Sequence, residues 1–244
     1  MTPVFNRALF SIHPLLLAAV AGAAGVLGFE PFGLHPVLIG ALALLIVLWQ
    51  HAAKPAYAGL IGFAFGLAYF MAGVSWVYVS LHDFGAIPAA IAAVLTFLFC
   101  CILALYPAIV GYVYCAVGAR SITATLFLLP GLWALADWTR GWLFTGFPWL
   151  AIGYSQIPAS PLAGYAPVVG VYGVTVATVL TAAIAVTLFR NAFSGQAGRS
   201  VSLLVLNPYL LILAGLWLGG YALQHAAWTK PSGPPVSVTL LQGN

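Results

Sequence analysis

Few side chains in this sequence can do chemistry: there are three acids, seven lysines and arginines, five histidines and three cysteines in 244 residues. Cys100, Cys101 and Cys115 share one apolar stretch in which no acid, lysine or histidine lies between Ala86 and Gly118. A thiol needs an electropositive or basic neighbour to form the thiolate that attacks a carbonyl. These three thiols are therefore read as packing or lipid-facing groups, without a disulfide. No metal ligand set and no cofactor are expected. The more promising pair is Asp137 and Arg140. Three residues apart at the end of an apolar run, they share a helix face and can pair. Arg140 also suits a helix C-terminus, with Gly141 in the following turn. Its planar fork matches a phosphate, the chemistry a phospholipid headgroup would present. Directly after it, Arg140-Gly-Trp-Leu-Phe-Thr-Gly-Phe-Pro-Trp-Leu150 is too rich in glycine and proline for a plain helix. Phe147-Pro148-Trp149 would make a rigid aromatic wall there.

The elements that position these groups follow from composition. Hydrophobic residues make up 64% of the chain, charged residues 4%, and the mean hydropathy is +1.10. A soluble domain carries roughly 25% charged residues, so this chain could not cover itself with polar groups. Apolar runs approaching helical membrane spans recur, and no strict alternation points to a barrel. The expected fold is an all-α integral membrane bundle of about seven transmembrane helices. A net charge of +4 is too small and scattered to argue for nucleic acid.

The spans are placed at about 8–28, 36–50, 56–80, 86–117, 121–138, 166–189 and 201–223. The second would be only about 22 Å long against roughly 30 Å of hydrocarbon. The fourth is expected to bend at Pro107, and the fifth to be interrupted at Pro130-Gly131. This segmentation puts Arg7, Lys54, Arg120, Arg190 and Arg199 on one side, with Arg140 and Lys230 opposite, accounting for all seven basic residues. The majority side is read as cytoplasmic, which places the N-terminus there. Glu30, Asp83 and Asp137, the only acids, fall on the other side.

The long connection from Thr139 to Tyr165 contains Trp142, Phe144, Phe147, Trp149, Tyr154 and Tyr165. An aromatic belt at headgroup level accounts for part of this, but so long a connection in a compact chain is more often functional than filler. Residues 224–235 read as a polar, proline-bearing linker. Residues 236–244 are β-branched and alternate early, as a strand about to enter a folded domain does. A strand with no sheet to join reads as the start of something longer.

These pieces resemble the membrane domain of the apolipoprotein N-acyltransferases. The resemblance rests on Arg140-Gly-Trp142, Thr145-Gly-Phe-Pro-Trp-Leu150 and Gly153-Tyr-Ser-Gln156. It is supported by Gly28-Phe-Glu-Pro-Phe32, Trp76-Val-Tyr-Val-Ser80 with Phe84-Gly85, and Ala166-Pro-Val-Val-Gly170. Leu241-Gln-Gly-Asn244 is similar to the opening strand of that family's α/β nitrilase-like domain. The resemblance implies a bacterial inner-membrane enzyme with this C-terminal end in the periplasm. It implies a thioester formed from a phospholipid acyl donor on a cysteine, then transfer to the amino terminus of a diacylglyceryl-modified apolipoprotein. The family's Glu-Lys-Cys triad belongs to the nitrilase-like domain. None of Glu30, Lys54, Lys230, Cys100, Cys101 or Cys115 matches it, so the chain is expected to carry no catalytic residue and to be inactive alone, as a truncated or split form. Arg140, Trp142, Phe147, Pro148, Trp149, Tyr154, Trp76 and Tyr78 are the expected substrate- and lipid-binding residues. A transporter and a non-catalytic membrane subunit are the alternative readings. Against transport, the ionisable groups cluster at span ends, with no charged pair plainly at a midplane.

Overall fold

A computed structural model describes residues 13–193, 207–230 and 232–241. Among the described residues the secondary structure is helical throughout, with no β-strand. In chain order the α-helices are α1 (Pro14–Gly25), α2 (His35–His51), α3 (Pro55–Gly73) and the short α4 (Trp76–Val79). They are followed by α5 (Ala89–Gly118), α6 (Leu129–Arg140), α7 (Ala166–Phe193) and α8 (Pro208–Gln224). Prolines in the first turns of α1, α2, α3, α6 and α8 start these helices where a missing N–H costs nothing. Three helical stretches, Pro55–Gly73, Ala89–Gly118 and Pro161–Ala192, are long and apolar enough to cross a membrane. Pro14–Gly28, His35–His51 and Pro208–Gln224 are apolar but shorter.

Several expected spans take a different form. The run expected at 56–80 is broken: α3 ends at Gly73, α4 follows, and Ser80–Phe84 is a single π-helical stretch. The expected interruption at Pro130-Gly131 does not occur, because Pro130 occupies the first turn of α6. The irregularity sits just before it, where Ala124–Leu128 is π-helical and the Leu129 N–H reaches back to the Ala124 carbonyl. That wider turn moves the backbone out of the register that a proline would break. Conversely, α5 continues past Pro107 to Gly118, about three further turns at 3.6 residues each. Within α7 the helical path is interrupted at Gly170, whose φ is +67°. In the described part of the seventh expected span, Asn207 caps a helix that begins at Pro208; residues 8–12 and 201–206 of the expected spans lie outside the described residues. Residues 236–241, expected as a strand, run exposed without regular structure, and 242–244 lie outside the described residues.

The core is organised around α3, which packs on α1 and, most extensively, on α5. Its contact with α5 is close because Gly62 and Gly66 face Pro107 and Ala104. Aromatic rings fill the centre: Trp49 lies 5.9 Å from Trp133, and Phe65 lies 6.3 Å from Trp133 and 5.8 Å from Tyr69. At one end a neutral polar node ties α2 to α5 and the π-helical turn. There the Tyr114 hydroxyl donates to the Ala119 carbonyl at 2.7 Å and lies 2.6 Å from Thr125 Oγ1. Gln50 Nε2 donates to both Tyr114 and Thr125, at 3.3 and 3.4 Å. Asp137 and Arg140 mark the opposite end, in the last turn of α6.

Candidate functional site

The connection after α6 leaves the helix by a tight turn and is then pinned back onto it. The Phe147 N–H donates to the Arg140 carbonyl at 2.7 Å, closing residues 141–146 into a protruding loop. Within that loop Phe144, Thr145 and Gly146 all have positive φ, at 54°, 75° and 82°. Such a run is costly for a residue as bulky as phenylalanine. At Gly146 a Cβ would also strike the Gly141 carbonyl, so only glycine fits. The strained tip projects outward, with Phe144 81% exposed and Trp142 54% exposed.

Beneath the loop lies a buried ion pair. Arg140 Nη2 donates to Asp137 Oδ1 at 3.0 Å, so the three-residue spacing is used as expected. Both side chains are almost fully buried, at 2% and 4% exposure. The guanidinium is turned into the protein; its Nη1 donates to the carbonyls of Phe147, at 2.8 Å, and Trp149. Its face lies 5.2 Å from the centre of the Phe70 ring, a cation–π contact. The other carboxylate oxygen of Asp137 accepts from the Ile152 N–H at 3.0 Å and from the Thr175 hydroxyl at 3.1 Å. Thr175 in turn accepts from the Gly153 N–H at 2.9 Å. Gly153 is small by necessity, since a Cβ there would meet the Val171 carbonyl of α7. Finally the Tyr69 hydroxyl of α3 donates to the Leu150 carbonyl at 2.8 Å, at a residue with φ of 58°. Three helices, α3, α6 and α7, thus hold one stretch of loop backbone from Phe147 to Gly153.

This clasp presents an aromatic cluster. The rings of Trp76 and Phe147 stack with centres 6.3 Å apart, Trp76 and Trp149 meet edge-on at 5.3 Å, and Phe99 closes on Phe147 at 4.9 Å. Trp76 and Trp149 remain 43% and 52% exposed, so the cluster is an open wall rather than a sealed core. Of the expected site residues, the structure gathers Trp76, Phe147 and Trp149 here, with Pro148 exposed between the last two. Trp142 instead packs on Trp138 at 5.3 Å, and Tyr78 packs on His82 at 5.5 Å. Tyr154 is exposed on the 3-10 turn Ile152–Gln156. A narrow crevice runs behind the clasp, lined by Tyr69, Phe70, Tyr106, Pro107, Asp137 and Arg140 among others. Thr175, Tyr69 and Phe99 are the participants that sequence reading did not reach. Each is an ordinary residue of an apolar helix, distant along the chain from the loop it serves.

Cys100 is buried in α5, and Cys101 and Cys115 are partly buried in the same helix. Among the described residues, no group of three or more histidine, cysteine or acidic side chains comes together as a metal site would require.

Comparison with known proteins places this geometry in a family. The family described as the apolipoprotein N-acyltransferase N-terminal domain matches residues 21–184, which include the clasp, the aromatic cluster and Thr175. The apolipoprotein N-acyltransferase of Nitrosomonas europaea is 46% identical over 230 residues, covering 94% of this chain and 44% of the relative. That of Methylococcus capsulatus is 42% identical, with 94% and 44% covered, and that of Chromobacterium violaceum 40% identical, with 94% and 42% covered. The chain spans less than half the length of these relatives. With apolar helices long enough to cross a bilayer and relatives of this name in several bacteria, the chain is that of a membrane protein, and it belongs to the apolipoprotein N-acyltransferase family.

Proposed function

We propose that this chain forms the membrane platform of an apolipoprotein N-acyltransferase. In this reading the outer end of the bundle holds a phospholipid acyl donor and a diacylglyceryl-modified apolipoprotein. A cysteine thiol of the nitrilase-like domain displaces the donor's acyl ester, releasing lysophospholipid and forming a thioester; the lipoprotein's terminal amine then attacks that thioester, forming an amide and freeing the thiol. The observation that carries the reading is the open wall of Trp76, Phe147 and Trp149, held rigid by Arg140 within the domain that defines the family. Rigid aromatic surfaces bury apolar chains with little loss of side-chain freedom. Arg140 acts here as a positioning residue: with its fork turned onto Asp137 and two carbonyls, it sets the loop instead of facing a phosphate. Trp142, Pro148, Tyr154 and Tyr78 are assigned to the surrounding lipid contact.

About seven spans, with the N-terminus in the cytoplasm and Gln224 onward in the periplasm of the inner membrane, complete the proposal. Reporter fusions after Gly195 and after Lys230 should give opposite sidedness; the same sidedness would refute it.

The activity test uses a chimera joining these residues to the remaining length of the Nitrosomonas europaea relative. Labelled phospholipid and a diacylglyceryl-cysteine peptide are supplied, and transfer to the amine is followed. Arg140→Ala and Trp149→Ala should lower turnover at limiting phospholipid by about tenfold or more, the scale on which misplacing a reacting chain acts. Arg140→Lys, which keeps charge but loses the fork, should fall between. Unchanged turnover in all three would remove the outer loop from the donor site. The chain itself, incubated with the same donor, should acquire no hydroxylamine-sensitive label on Cys100, Cys101 or Cys115.

A further inference from the structure

The end of the bundle opposite the clasp carries positive charge that the protein does not neutralise. Arg120 lies in the turn after α5, Arg190 in the last turn of α7, and Lys54 at the start of α3. All three side chains are exposed, and among the described residues none forms an ion pair. Nor is a hidden acid available: the whole chain contains three acids, Glu30, Asp83 and Asp137. Glu30 sits in the turn before α2 and Asp83 in the π-helical stretch after α4, while Asp137 is committed to Arg140 at the outer end.

Both arginines lie at the end away from the clasp, with Arg190 in the last turn of the helix whose Thr175 meets Asp137. Arg120 Nε donates to the Gln50 carbonyl at 3.2 Å, which fixes the base of its side chain and leaves both terminal nitrogens without a protein partner among the described residues. That carbonyl belongs to the last turn of α2, where a cation is favoured by unpaired helix carbonyls. Gln50 is the same residue whose amide enters the Tyr114–Thr125 node. The π-helical turn that follows Arg120 packs against α7, the helix whose last turn carries Arg190.

We infer that this end is a binding site for the headgroup phosphate of an anionic phospholipid, gripped by the free fork of Arg120 and assisted by Arg190. A planar guanidinium fixed through Nε presents its outer N–H groups as a preorganised pair for phosphate oxygens. Basic surfaces between helix ends at a membrane boundary take anionic headgroups, each cation contributing about a fivefold gain in affinity near the surface. The exposed apolar residues of α5 toward this end, Ile109, Tyr112 and Val117, would lie against the lipid's acyl chains. The site is separate from the donor site proposed above and stands whether or not that reading holds.

The test uses the whole chain purified in an uncharged detergent. Retention of phosphatidylglycerol is measured against phosphatidylcholine by native mass spectrometry, with inorganic phosphate as a third arm. Wild-type chain should prefer phosphatidylglycerol, and Arg120→Gln should weaken that preference about fivefold. Adding Arg190→Gln should weaken it by a similar factor again. Arg120→Lys, which keeps the charge without the fork, should fall between wild type and Arg120→Gln. Arg190→Gln alone changes an exposed side chain and keeps the experiment decisive if Arg120→Gln does not fold. An unchanged preference in the variants would overturn the inference. So would equal retention of phosphatidylcholine, or displacement of the lipid by equimolar inorganic phosphate.

Discussion

The two ends of this bundle close their helices with opposite chemistry. At the clasp end a full charge pair, Asp137 and Arg140, is buried almost completely and satisfied by backbone and hydroxyl partners. At the opposite end the buried groups are neutral, Gln50, Tyr114 and Thr125, and among the described residues the charges stay at the surface without acids. Neutral hydroxyls and amides suffice to tie helix ends together, so the buried pair does something more. Burying two charges carries a desolvation penalty that apolar packing would avoid. What the ion pair adds here is reach. A guanidinium and a carboxylate together fix the backbone at Phe147, Trp149 and Ile152, holding an irregular segment that has no ladder of its own. The neutral node, by contrast, joins α2 and α5 to the π-helical turn that follows α5 and holds no long loop.

The largest effect expected from breaking this contrast is at the ion pair. Arg140→Ala leaves the Asp137 carboxylate buried without its cation and should cost ~3–5 kcal/mol. Asp137→Ala should cost a comparable amount. In a double-mutant cycle read by thermal unfolding in detergent, the double variant should be less destabilised than the sum of the singles. Additive losses would mean that the two side chains act independently. A smaller loss is expected for Thr175→Val, a change of nearly equal shape that removes one donor from Asp137 and strands the Gly153 N–H. It should cost ~1–3 kcal/mol, and Thr175→Ser should restore most of it. At the neutral node, Tyr114→Phe should cost least, ~0.6–1 kcal/mol, because the remaining amide, hydroxyl and carbonyl groups can re-pair with one another. A Tyr114→Phe loss as large as that of Arg140→Ala would erase the distinction between the two ends.

How far the chain could be read before its fold was known depends on how local each feature is. The Asp137–Arg140 pair was legible because three residues on a helix define a face. The aromatic run after it was legible because glycine and proline interrupt a helix visibly. The partners of the pair were not. Thr175 lies thirty-eight positions from Asp137, and nothing in an apolar helix distinguishes one threonine that turns inward from the others. The direction of the Arg140 fork was equally out of reach, because carbonyls of the returning loop appear in no side-chain pattern. The same limit explains the interruptions. Pro130 marks irregular backbone, yet the π-helical register absorbs it one turn earlier, while the break after Gly73 has no proline at all. Hydropathy alone ran straight through that break because Val74 to Val79 is as apolar as a span.

The central claim is that the clasp presents an aromatic wall to phospholipid acyl chains at the outer end. It is tested most directly by photocrosslinking the chain, in phosphatidylcholine vesicles, to a phospholipid whose acyl chain carries a photoreactive group. Peptides containing Trp76 and residues 141–157 should be labelled in preference to the exposed apolar face of α5, and Arg140→Ala should abolish that preference while α5 labelling continues. Uniform labelling of every lipid-exposed helix, unchanged by Arg140→Ala, would contradict the account.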